Sequence, residues 1–101
     1  MNTYQQKLQE LLTQIPKGKV TTYKEIAGAM GTRGYRFVGQ LLHKNPYPDK
    51  FPCYKVVRSD GSLGGFALGA RDKIRRLNGD GIMVRGNKIA GFENVLHKFD
   101  L

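Results

Sequence analysis

Thiols, imidazoles and carboxylates are all scarce in this chain of 101 residues, which has one cysteine, two histidines and eight acids. A single cysteine closes no intramolecular disulfide, which suits a reducing, cytoplasmic setting, and it cannot build a multi-thiolate metal centre. With His43 and His97 as the only imidazoles, the ligand supply is thin, and neither a metal nor a cofactor is expected. No apolar run approaches the roughly 18–20 residues that a membrane-spanning helix needs. The first residues, Met1-Asn2-Thr3-Tyr4-Gln5-Gln6-Lys7, are polar and lead into an amphipathic segment, so no signal peptide is expected. The shortage of acids has a consequence of its own. Seventeen lysines and arginines against eight acids leave a net charge of +9. A surplus of that size attracts polyanions, of which nucleic acid is the commonest, without choosing between DNA and RNA. At 40% hydrophobic and 25% charged residues, residues 1–101 read as one small globular domain, expected to be monomeric.

Periodicity supplies the elements. Tyr4, Leu8, Leu11, Leu12 and Ile15 form one apolar stripe at helical spacing, so residues 3–15 read as a helix, with Thr3 and Gln6 spaced as a capping box. Pro16-Lys17-Gly18-Lys19 breaks it, and Val20-Thr21-Thr22 is a short extended piece. Thr22 and Glu25 form a second capping box, opening a helix through Ile26, Ala27 and Met30 that stops at Gly31. After a turn over Thr32-Arg33-Gly34, residues 35–43 read as a third helix with Tyr35, Val38 and Leu41/Leu42 inward. Two short helices about a glycine turn are a helix-turn-helix signal, though any pair of packed core helices gives the same pattern. The surplus charge, with Arg33, Arg36 and Lys44 in or beside the second helix of the pair, favours DNA.

The one thiol lies in Asn45-Pro46-Tyr47-Pro48-Asp49-Lys50-Phe51-Pro52-Cys53-Tyr54-Lys55-Val56-Val57, where three prolines stiffen its approach. Lys55 and Arg58 follow closely, and positive charge favours a thiolate. The residues alone fit either a nucleophile or a small buried hydrophobe before the Val56-Val57 strand. Residues 58–69 form a loop whose glycines allow close backbone approach to a ligand. A short basic helix follows over 70–77 with Arg71, Lys73, Arg75 and Arg76. Two extended pieces, 82–84 and 88–90, flank a three-residue hairpin loop, Arg85-Gly86-Asn87.

Taken in order, these motifs resemble the DNA-binding, active-site domain of the O6-alkylguanine-DNA alkyltransferases and their alkyltransferase-like relatives. The resemblance rests on Lys17-Gly18-Lys19-Val20-Thr21-Thr22-Tyr23, on Tyr35-Arg36-Phe37-Val38-Gly39-Gln40-Leu41, on Asn45-Pro46 through Pro52-Cys53 and Val56-Val57, and on Gly61-Ser62-Leu63-Gly64-Gly65-Phe66. It covers residues 3–81. It implies a mainly α fold with short β pieces, a winged helix-turn-helix-like domain, with no separate N-terminal domain. The function implied is DNA repair on duplex DNA containing O6-alkylguanine. The helix over 35–43 would lie in the minor groove, and the damaged base would rotate into a pocket because its O6 group is unreachable in the stack. The resemblance makes Cys53 the alkyl acceptor, with Asn45, Tyr54 and Asp80 around it, and no cofactor. It assigns DNA contacts to Tyr23, Arg36, Thr21, Gly39 and Lys44, with Tyr23 crowding a phosphate and Arg36 filling the gap in the stack. It assigns the alkylguanine pocket to Leu42, Pro52, Leu63, Gly64, Gly65 and Phe66.

Two departures bear on chemistry. Tyr54 stands where alkyltransferases carry the histidine that takes the thiol proton through a water, and Asp80 replaces the glutamate that orients that ring. A tyrosine titrates near pH 10, so its phenolate is about one part in a thousand at neutrality and a poor base. An unperturbed thiol is nonetheless a few per cent thiolate near pH 7, so transfer is expected to be slowed rather than forbidden. Phe66 stands for a frequent tyrosine and Ala67 for a serine, leaving fewer hydrogen bonds for a base. The small format is typical of alkyltransferase-like proteins, which bind the lesion without transfer and recruit nucleotide excision repair, so proteins of that pathway are the partners implied by this alternative.

Overall fold

The computed structural model describes residues 3–32, 34–44, 50–66 and 68–99. The elements, in chain order, are α1 (Tyr4–Thr13), β1 (Thr21–Thr22), α2 (Tyr23–Met30), α3 (Tyr35–His43), a 3-10 turn (Cys53–Lys55), β2 (Val56–Val57), α4 (Ala70–Gly79), β3 (Val84–Arg85), β4 (Lys88–Ile89) and α5 (Phe92–Val95). The fold is mainly helical with short strands, as the motifs imply.

Local chemistry sets the helix starts. Thr3 accepts from the Gln6 amide at 3.1 Å while the Gln6 side chain accepts from the Thr3 amide at 2.9 Å, a complete capping box on α1. Thr22 accepts the Glu25 amide at 3.0 Å and opens α2, which ends at Gly31 with φ +73°, a left-handed C-cap. The α1 stripe buries Leu8, Leu11 and Leu12 against Ile26, Ala27 and Met30 of α2 and Val38 and Leu42 of α3. Tyr4, the first residue of that stripe, is instead 53% exposed and meets Phe37 edge-on at 5.1 Å. The inward placement expected of Tyr35 lies outside the described side chains.

Strand β2 divides the interior. Successive side chains on a strand point to opposite faces. Val56 therefore joins the helical cluster that includes Cys53, and Val57 joins a second cluster of Val20, Leu63, Leu77, Ile82 and Ile89. β1 pairs with β2 in parallel, Thr21 opposite Val56 and Thr22 opposite Val57. The chain after α5 adds to the free edge of β1: Val20 donates to Val95 at 2.8 Å, and the His97 amide donates to Val20 at 2.6 Å. This long-range pairing, and α5 itself, had no counterpart in the sequence pattern. The hairpin differs in detail too. Arg85 pairs with Lys88, so the loop is the two residues Gly86-Asn87, with Gly86 at φ +62°. A positive φ at the first loop position is what a tight II′ hairpin demands, and glycine supplies it without strain. The hairpin packs onto the glycine loop, with Leu63 donating to Asn87 at 3.0 Å and Ile89 to Gly61 at 2.9 Å.

Candidate active site

Helix α3 runs along one wall of a cavity of about 370 Å³ lined by Tyr23, Gly39, Leu42, His43, Cys53, Gly65 and Phe66. That size lies in the range of small-ligand sites. Four of the elements meet there. α2 brings Tyr23 at its first residue, α3 brings Gly39, Leu42 and His43 at helical spacing, the 3-10 turn brings the thiol, and the glycine loop brings Gly65 and Phe66. Cys53 is mostly buried, and its amide donates to Phe51 at 2.7 Å, which fixes the turn that presents it.

Behind the thiol stands Lys73, fully buried on α4. Its ammonium donates to the carbonyls of Val56 at 2.8 Å, Gly65 at 3.1 Å, and Leu63. Three donors thus meet three acceptors, and the strand after the cysteine is tied to both ends of the Leu63–Gly65 segment. Burial pushes the Lys73 pKa down to about 8, the Cys53 charge opposes that fall, and the Arg58 charge adds to it. The thiolate and the ammonium therefore stabilise one another. The sequence pattern had Lys73 as one more cation of a basic helix. Its spacing of four from Leu77, on the buried face of α4, is the signal that separates it from Arg71.

Lys55, expected beside the thiol, is committed elsewhere. Its Nζ lies 2.7 Å from Asp80 Oδ2 and donates to the Pro16 carbonyl at 3.0 Å, while Asp80 Oδ2 also accepts the Gly18 amide at 2.8 Å. Asp80 is thus a staple that joins the end of α4, the turn after Cys53 and the α1–β1 connection. The resemblance expects Asp80 as the carboxylate of a proton relay; here its Oδ2 is engaged by the buried ammonium of Lys55 and by the Gly18 amide. The Tyr54 ring packs against the Val20–Val57–Leu77 cluster and does not line the cavity.

The remaining candidates divide cleanly. Tyr23 leans over the glycine loop, and a Cβ at Gly64, whose φ is +71°, would lie 3.0 Å from the Tyr23 hydroxyl. Burial raises the Tyr23 pKa, offset by the Arg58 charge and a hydrogen bond from the Gly65 backbone, with the Cys53 charge adding to the rise. It therefore stays a phenol able to donate. Leu42, Gly65 and Phe66 line the cavity as expected, and Gly64 supports Tyr23. Leu63, expected in the pocket, is a core residue of the second cluster, and Pro52 precedes the 3-10 turn without lining the cavity. Thr21, expected at DNA, is fully buried and donates its hydroxyl to the His97 carbonyl at 2.9 Å. The inward pleat of β1 removes it from the surface. Asn45, Arg33 and Ala67 lie outside the described residues.

The mouth of the cavity is cationic. A shallow groove lined by Tyr23, Lys24, Arg36, Gly39, Arg58, Ser59 and Gly65 adjoins it, and a second, lined by Arg36, Gly39, Gln40, His43 and Lys44, follows the outer face of α3. Gly39 borders all three spaces, and a Cβ placed there would meet nothing within 4 Å. Its missing side chain keeps the passage between the helix face and the thiol open.

Fold and site together define a helix-turn-helix domain with a thiol-bearing pocket opening on its second helix. Residues 3–82 match the family model described as the 6-O-methylguanine DNA methyltransferase DNA-binding domain. The chain belongs to this family of DNA-repair alkyltransferase domains. It is 49% identical over 83 residues to a bifunctional methyltransferase/endonuclease of Picrophilus torridus, covering 81% of this chain and 28% of that protein. It is 36% identical over 83 residues to a methylated-DNA–protein-cysteine methyltransferase of Methanothermobacter thermautotrophicus, covering 82% and 47%. The chain thus spans less than half the length of these curated relatives. Among solved structures it superposes on Schizosaccharomyces pombe Atl1 in complex with damaged DNA containing O6-carboxymethylguanine. The TM-score is 0.83 at 25% identity, covering 97% of this chain and 99% of that one. It also superposes on the O6-methylguanine-DNA methyltransferase of Pyrococcus kodakaraensis, with a TM-score of 0.72 at 34% identity, covering 80% and 47%.

Proposed function

We propose that this domain binds duplex DNA through the outer face of α3, receives an O6-alkylguanine rotated out of the stack, and takes its alkyl group onto Cys53. The observation that carries the reading is the cavity itself. Its wall holds a mostly buried thiol, its mouth is ringed by Lys24, Arg36 and Arg58, and a side-chain-free position, Gly39, joins the two. The Cys53 sulfur attacks the alkyl carbon, the S–C bond forms as the C–O6 bond breaks, and the purine keeps the electron pair and takes up the proton given up by the thiol, leaving guanine. Lys73 favours the thiolate electrostatically, and Tyr23, a phenol on the lining of the same cavity, is able to donate a hydrogen bond. The product thioether ends the activity of that molecule. The domain acts as a monomer, in a reducing, cytoplasmic setting that keeps the acceptor thiol from oxidising. Incubation with a duplex containing O6-methylguanine, followed by mass measurement of the intact protein, tests this directly. A stoichiometric methyl-sized gain on Cys53 is expected, and an unchanged mass would overturn it.

A second reading is a non-enzymatic lesion sensor that recruits nucleotide excision repair proteins. It is favoured by the diversion of Asp80 to Lys55 and by the likeness to Atl1 along nearly the whole chain. On this reading Cys53→Ala keeps its preference for lesion-bearing over undamaged duplex, and the wild type gains no mass.

A further inference from the structure

Transfer converts an O6-alkylguanine, which has no proton on N1, into guanine, which has one. The thiol proton must therefore travel from the sulfur to the base. Asp80 is held by Lys55 and the Gly18 amide, and Tyr54 packs against the second core cluster outside the cavity. Among the described residues that line the cavity, His43 alone is of the side-chain type that ordinarily titrates between pH 5 and 8. It comes from the last turn of α3, one helical turn after Gly39. It also lines the outer groove with Arg36, Gln40 and Lys44. His43 therefore borders both the thiol pocket and the outer groove, as Gly39 does one turn earlier.

We infer that His43 carries the proton of alkyl transfer from Cys53 to the departing guanine. This deepens the alkyl-acceptor reading above and rests on it. As the S–C bond forms and the C–O6 bond breaks, the sulfur proton passes to an imidazole nitrogen, directly or through a water. The imidazolium then returns it to N1 of the purine that has gained the electron pair. Bonds and charge balance without any further reactant. The charged and titratable groups that share the cavity or the outer groove with His43 are Tyr23 from α2, Cys53 from the 3-10 turn, Arg36 on its own helix and Lys44 just after it. Arg58 and Lys73 lie beyond Tyr23 and Cys53. Proton handling is thereby moved from the residue after the cysteine to the opposite wall of the pocket.

The test is single-turnover methyl transfer from saturating O6-methylguanine duplex, followed by mass across about pH 5.5 to 9, bracketing the ordinary histidine range. Wild type is compared with His43→Gln and with His43→Ala in the presence and absence of added imidazole. His43 is exposed, so both variants are expected to fold. Loss of general acid–base help should slow His43→Gln by about 10²-fold and change the shape of the pH–rate profile. Imidazole should restore much of the rate of His43→Ala. A His43→Gln rate and profile equal to wild type would overturn the inference while leaving the acceptor reading intact. A slower His43→Ala that imidazole does not rescue and that keeps the wild-type profile would also overturn it. If the wild type itself gains no mass, the acceptor reading fails and this inference fails with it.

Discussion

Lys73 is the residue on which the pocket is hung, and its depressed pKa gives it a measurable signature. The unfolded chain holds the lysine proton up to about pH 10.5, while the folded chain releases it near 8. Between those values the unfolded state binds more protons, so stability rises with pH through that window. Below about pH 8 the charged, buried ammonium opposes folding, offset by its three carbonyl partners. We therefore expect urea unfolding of the wild type to gain stability relative to Lys73→Met as pH rises from about 8 to about 10.5, by about 3 kcal/mol. Parallel curves for the two proteins would sink this account. The Lys55–Asp80 pair makes a second prediction. Asp80→Asn leaves a buried ammonium without its carboxylate and should cost about 3 kcal/mol in denaturant midpoint analysis. Lys55→Met, which leaves Asp80 with the Gly18 amide, should cost less.

The elements α2 and α3 carry opposite demands at their glycines. Both Gly28 and Gly39 lie inside helices, and a Cβ at either would meet nothing within 4 Å. On helix propensity alone each change to alanine should stabilise the fold by up to about 1 kcal/mol. Only Gly39 borders the cavity and both grooves. Gly39→Ala should therefore raise the melting temperature yet weaken duplex binding in a fluorescence anisotropy titration. Gly28→Ala should raise it without that loss. Equal binding by the two variants would mean that the open space at Gly39 serves no ligand.

At the scale of the molecule the net charge of +9 becomes useful through its placement. Lys24, Arg36, Lys44 and Arg58 are exposed around the mouth of one cavity. If each neutralises one phosphate, counterion release gives a slope of about −3 to −4 for log affinity against log salt concentration. Replacing Arg58 with alanine should make that slope shallower by about one. A slope near zero would leave the grooves without a role in DNA binding.

Much of this was legible in the chain because it is local chemistry. Thr3 with Gln6 and Thr22 with Glu25 mark helix starts through side chains three residues apart. Gly31 marks a helix end through the sign of its φ. The ordered run from Tyr23 through Cys53 to Phe66 marks the pocket and the family. What the sequence could not decide depends on which distant groups claim one another. A lysine at position 55 and another at position 73 look alike along the chain, yet one neutralises Asp80 and the other supports the thiol. Thr21 looks like a surface hydroxyl until β1 takes its parallel partner and the chain after α5 closes over it. His43 looks like one more polar residue of a helix end until α3 places it on the lining of the cavity that holds Cys53. By itself the sequence determined most of the elements, the surplus of charge and the presence of one thiol on a proline-stiffened approach, since those follow from spacing and composition. The tertiary structure decided which lysine is buried behind that thiol and which lysine claims Asp80, because burial and long-range hydrogen bonds assign partners that no local spacing encodes.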